Sequence, residues 1–119
     1  MKYSFEKLEV WNDSRELTKL IYKITKDFPP DEKFGIINQM RRSAISISSN
    51  IVEGSYRKTG KDKISFMTIS YSSLMELLNQ TIVSVDLKYI DKIQYQEIRN
   101  KIEKVSNKLS ALTKYFKSL

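Results

Sequence analysis

Apolar side chains recur along this chain at steps of three and four residues, and little interrupts them. The last stretch is the clearest: Ile98, Ile102, Val105, Leu109, Leu112, Phe116 and Leu119 alternate steps of four and three. This spacing lays one stripe along one face of an α-helix. Three Gly and two Pro in 119 residues are too few for the many turns of an all-β domain. The chain therefore reads as all-α.

Three further segments carry the same signal. Leu17, Leu20, Ile21, Ile24 and Phe28, with Val10 and Trp11 upstream, predict a helix from about Leu8 to Phe28 that Pro29 and Pro30 stop. The stripe Ile37, Met40, Ala44, Ile47, Ile51 predicts a second helix, with Asp31 as its N-cap and its end between Gly54 and Lys58. Gly54 near that end either weakens the helix or marks a close approach to a neighbour. Thr59 with Asp62, and Asp91 with Gln94, have the spacing of capping boxes and start helices three and four. For helix three the expected core stripe is Ile64, Met67, Tyr71, Leu74, Leu78, Ile82, Val85. Short connections between four amphipathic helices predict one antiparallel up-down four-helix bundle domain over residues 1–119.

The absence of both His and Cys removes the commonest general base, the commonest metal ligand and every thiolate. No cofactor or metal site is expected, and no nucleophile–base pair or Gly-rich phosphate loop is present. The remaining acid–base candidates, Glu53 and Glu76, would have to meet across helices two and three. The expectation is a non-enzyme. No apolar run reaches the ~20 residues of a membrane span, and charges at Lys2, Glu6, Lys7 and Glu9 interrupt the start. The expected address is the cytoplasm.

Two surface features point to function. Beside its core stripe helix two adds Ile45 and Val52, and helix three adds Phe66, Ile69 and Leu77. One bundle core does not easily cover both rows, so self-association is expected. Arg42, Ser46, Asn50, Glu53 and Arg57 form a polar column next to them, so the expected oligomer interface is Ile45, Asn50, Val52, Glu53, Phe66, Ile69 and Leu77. Ser43, Ser46, Ser48 and Ser49 would let helix axes come close.

The net charge of +7 is unevenly spread, with +4 in residues 91–119. Lys101, Lys104 and Lys108 step along one face of helix four, and Arg41, Arg42, Arg57 and Lys58 cluster on or after helix two. Such groups either follow the phosphates of RNA or DNA or form a solvated helix face. Tyr56, beside Arg57 and Lys58, is the tyrosine best placed to stack on a base.

The blocks Phe5-Glu6-Lys7-Leu8-Glu9-Val10-Trp11, Phe28 to Gly35, Gln39 to Ile47, Asn50-Ile51-Val52-Glu53-Gly54 and Ser73-Leu74-Met75-Glu76-Leu77 closely resemble a known family. It comprises the four-helix bundle proteins encoded by intervening sequences within bacterial 23S rRNA genes. The chain departs from the family pattern at Ser48 (Pro), at Leu78-Asn79 (Glu-Thr) and at Lys88 (Gly). The resemblance implies an up-down bundle assembling into a ring, typically a homopentamer. It also implies similarity to the accessory protein of diversity-generating retroelements, which binds nucleic acid and a reverse transcriptase. The expected partners are thus further copies of the chain, RNA or DNA, and, alternatively, a reverse transcriptase-like protein for which the chain is an adapter.

Overall fold

The computed structural model describes residues 2–119. Four helices follow one another: α1 (Glu9–Thr25), α2 (Ile36–Ser55), α3 (Gly60–Asp86) and α4 (Lys92–Lys117). Each packs on its two neighbours in the order α1, α2, α3, α4 and back to α1. The result is an up-down bundle measuring 45 × 24 × 22 Å. Its shared core is built from Leu17 and Ile21, Met40, Ile47 and Ile51, Met67, Leu74 and Leu77, and Ile98, Ile102 and Leu109.

Helix ends follow local chemistry. Asp91 and Gln94 close a reciprocal box, the Gln94 amide donating to Asp91 Oδ1 at 2.8 Å and the Asp91 amide to Gln94 Oε1 at 3.1 Å. Thr59 Oγ1 accepts from the Asp62 amide at 3.1 Å. Asp31 is not the cap of α2: Pro30 opens a short 3-10 turn, Pro30–Glu32, that contains Asp31, and α2 starts five residues later behind Gly35. Helix α1 stops at Thr25, short of the expected Phe28: Pro29 has no N–H to bond the Thr25 carbonyl, Phe28 before it avoids helical geometry, and Phe28 reaches the core from a turn rather than from the helix.

Helix α3 differs most from expectation. Tyr71 and Ile82 are exposed, and the inward row is Met67, Ser70, Leu74, Leu77, Thr81 and Ser84. Hydroxyls occupy core positions because each finds an acceptor or partner. Thr81 donates to its own helix at Leu77 O (2.7 Å) and Ser84 to Gln80 O (2.8 Å). Ser70 donates to Ile47 O of α2, and the Ser46 and Ser73 hydroxyls bond at 2.8 Å. A buried hydroxyl so satisfied costs little, and its small size brings α2 and α3 together. At Gly54 the two helices approach closely: a Cβ there would sit 2.5 Å from Met67 Cε, 2.8 Å from Phe66 Cβ and 3.2 Å from Lys63 O.

Candidate nucleic-acid interface

Antiparallel packing brings the starts of α1 and α3 and the ends of α2 and α4 to one end of the bundle. Ser4 Oγ lies 3.3 Å from Tyr56 Oη across the start of α1 and the end of α2. A Cβ on Gly60 would meet Phe116 O at 2.8 Å, so α3 begins against the last turns of α4. Cations converge here from four stretches of chain: Lys2 and Lys7, Arg57 and Lys58, Lys61 and Lys63, and Lys114 and Lys117. Glu6, Glu53 and Asp62 are the carboxylates nearest them along the chain, yet among the described residues none of these eight cations forms an ion pair.

Three of the cations lie over aromatic rings, Lys2 Nζ at 5.6 Å from the centre of the Tyr3 ring. The Arg57 guanidinium lies 4.4 Å from the centre of the Phe66 ring. Lys63 Nζ sits 5.2 Å from that of Phe116 while donating to Ser55 O at 2.8 Å. Lys58, Lys61, Lys114 and Lys117 are exposed.

The lysine row on α4 has a different setting. Lys108 Nζ lies 2.7 Å from Asp13 Oδ2 and 3.1 Å from Glu9 Oε2, and Lys104 Nζ lies 3.5 Å from Asp13 Oδ1. These contacts, first Asp13 and then Glu9, hold the Lys108 ammonium above its ordinary pKa. Lys104 and Lys108 therefore staple α4 to α1, and of the predicted row only Lys101, half-buried, makes no ion pair among the described residues. Arg99 is instead tied within α4, to Tyr95 Oη at 2.6 Å and Glu103 at 3.3 Å.

The arginines of α2 divide likewise. Arg41 turns to α1, donating to Thr25 Oγ1 (3.0 Å) and Tyr22 O (3.3 Å) with its guanidinium over the Tyr22 ring. It is a structural clasp. Arg42 is exposed and lines a polar groove of about 550 Å³ between α2 and α3, with Ser46, Ser73, Glu76 and Gln80 in its walls and Phe34 at its rim. Glu53 and Glu76 do not meet there. Gly54 lies against Phe66 and Ser46 against Ser73, so Glu53 is level with Phe66, and Glu76 is about 15 Å further along α3.

The apolar rows also separate. Ile45 and Ile69 remain 44% and 47% exposed. Val52 and Phe66 are half-buried, Glu53 is exposed, and Asn50 is half-buried with its amide donating to Ser46 O at 2.8 Å. Leu77 offers nothing to a second copy: it is wholly enclosed by the core of its own bundle, because the inward face of α3 is rotated from the expected stripe toward the serine row.

Sequence reading missed Lys2, Lys7, Lys61, Lys63, Lys114 and Lys117 as members of the basic end. The run Arg57-Lys58-Thr59-Gly60-Lys61-Asp62-Lys63 carried a local signal. The remainder becomes visible only when four chain segments meet.

The fold and its surface define a small basic four-helix bundle with a cationic end and no helix long and apolar enough to cross a membrane among the described residues. The family model described as 23S rRNA-intervening sequence protein matches residues 6–111, and the chain belongs to that family. No curated protein matches the chain. Among solved structures it is similar to the crystal structure, at 1.70 Å resolution, of a protein of unknown function from the S23 ribosomal protein family from Bacteroides thetaiotaomicron VPI-5482. The two share 25% identity over 88% of this chain and 98% of that one, with a TM-score of 0.78.

Proposed function

We propose that this protein is a non-catalytic, self-assembling bundle that binds the phosphate backbone of RNA or DNA through its cationic end. The observation that carries this reading is the convergence of Arg57, Lys58, Lys61, Lys114 and Lys117 without ion-paired carboxylates, while Lys104 and Lys108 are held by α1. Counterion release drives such binding, so it weakens steeply as salt rises. Self-assembly, with a homopentameric ring as the form the family resemblance implies, is supported by the exposure of Ile45 and Ile69 on α2 and α3.

Anisotropy with short labelled RNA and DNA over a salt series tests the binding. About five phosphate contacts correspond to a slope of roughly −4 in log affinity against log salt. Absence of binding at low ionic strength, or binding indifferent to salt, would contradict the reading. A second reading, an adapter for a nucleic-acid enzyme such as a reverse transcriptase, draws on the polar Arg42 groove with Phe34 standing 87% exposed at its rim. Its signature would be a binary protein complex that Arg42→Glu abolishes and Lys58→Glu does not.

A further inference from the structure

The cationic end carries exposed rings as well as charge. Tyr3 and Tyr56 are 53% and 54% exposed, in a cluster whose other two rings, Phe5 and Trp11, are half-buried. Phe5 links them: its ring is stacked with that of Tyr3 (6.3 Å between centres, 15° between planes) and edge-on to that of Tyr56 (6.2 Å, 74°). Trp11 supports Phe5 edge-on at 4.9 Å, and the Ser4 hydroxyl holds the Tyr56 hydroxyl. Both exposed rings are thus positioned before any ligand arrives, which lowers the ordering cost of binding. Lys2 Nζ lies 5.6 Å from the Tyr3 ring centre, and Arg57 and Lys58 follow Tyr56 directly.

Cations alone bind duplex and single strand alike, because both present phosphates. A duplex keeps its base faces stacked inside the helix, so an exposed ring gains nothing from it. A single strand offers those faces, and base–aromatic stacking adds affinity with little regard to sequence. Phe34 at the opposite end lacks this arrangement: it is exposed with Lys33 over its ring at 5.6 Å, but has no aromatic neighbour within the described residues.

We propose that the basic end is a single-strand site in which unpaired bases stack on Tyr3 and Tyr56 while Lys2, Arg57 and Lys58 hold the adjoining phosphates. This rests on the nucleic-acid reading above and narrows it to one class of ligand.

The test measures anisotropy of labelled oligo(dT), oligo(U) and a mixed-sequence duplex, each of about 15 nucleotides per strand, with the full chain at one moderate salt concentration. The single strands should bind about tenfold more tightly than the duplex. Tyr3→Ala with Tyr56→Ala should erase that preference, weakening single-strand binding about tenfold or more and leaving duplex binding unchanged. Tyr3→Phe with Tyr56→Phe, which keeps the rings, should keep the preference. Arg57→Glu with Lys58→Glu should weaken both ligands. Equal affinity for duplex and single strand, or an alanine pair that weakens both alike, would overturn the single-strand site and leave the phosphate-binding reading standing. Failure of wild-type protein to bind any of the three would overturn both. An alanine pair that changes the assembly state but not the preference would also overturn the site, assigning the rings to contacts between copies.

Discussion

Lys88 occupies a backbone position that favours glycine. With φ at 62° it is left-handed, and it ends α3 through a paired motif in which the Tyr89 amide donates to Ser84 O and the Lys88 amide to Val85 O, both at 2.9 Å. This is the Schellman arrangement, whose turning residue is usually Gly because a Cβ is unfavourable there. The structure thus gives a physical meaning to the departure from the family pattern at this position. Lys88→Gly should stabilise the fold by about 1 kcal/mol, read as a rise of roughly 4 °C in melting temperature. A destabilised Gly variant would show that the lysine side chain contributes more than the left-handed backbone costs.

At the scale of elements, the two loops at the end opposite the cations are tied by one hydrogen bond. Tyr89 Oη donates to Glu32 Oε2 at 2.8 Å, and the Phe28 and Tyr89 rings pack 5.3 Å apart. Donation to Glu32 and partial burial hold the Tyr89 hydroxyl above its ordinary value of 10.0. The folded state therefore keeps this proton longer than the unfolded chain. The resulting stabilisation is complete below about pH 10 and is lost as pH rises through the raised value. Lys108, raised by Asp13 and Glu9, acts in the same direction. In denaturant titrations from pH 8 to 11.5, Tyr89→Phe should remove part of the alkaline fall in stability while leaving the Lys108 part; an unchanged fall would exclude the Tyr89–Glu32 bond as its source.

Elements also differ in how much of them periodicity discloses. The α4 stripe was legible from Ile98 to Phe116 because large apolar residues fill every inward position. Helix α3 was not, because Ser70, Ser73, Thr81 and Ser84 occupy inward positions on the strength of hydrogen bonds that an apolar pattern does not contain. Gly54 was half legible: its place near the end of α2 raised two alternatives, and the contacts with Phe66 and Lys63 select close approach. For the surface, the lysine row of α4 could be read, but not the fact that Glu9 and Asp13 stand opposite it. Its long-range partner is separated by nearly the whole chain.

At the scale of the whole molecule, charge is polarised along the 45 Å axis, with one end collecting cations from four segments and the other mixing Asp27, Asp31, Glu32, Asp86 and Asp91 with Lys26, Lys33, Lys88 and Lys92. Assembly of several copies with their basic ends side by side would multiply that field and extend the phosphate track. If Ile45 and Ile69 are buried between copies, Ile69→Asp should convert the assembly seen by sedimentation velocity at micromolar concentration into a single subunit of 14.0 kDa with its melting behaviour otherwise preserved. Wild-type protein that sediments as one subunit would contradict the assembly. The claim on which the functional account turns is that the bundle end, and not the face of α4, meets the phosphates. It is tested most directly by comparing the salt dependence of oligonucleotide binding in two charge-reversal proteins: Lys58→Glu with Lys61→Glu should flatten the slope by about 2, whereas Lys101→Glu with Lys104→Glu should leave it near the wild-type value; the opposite pattern would contradict the account.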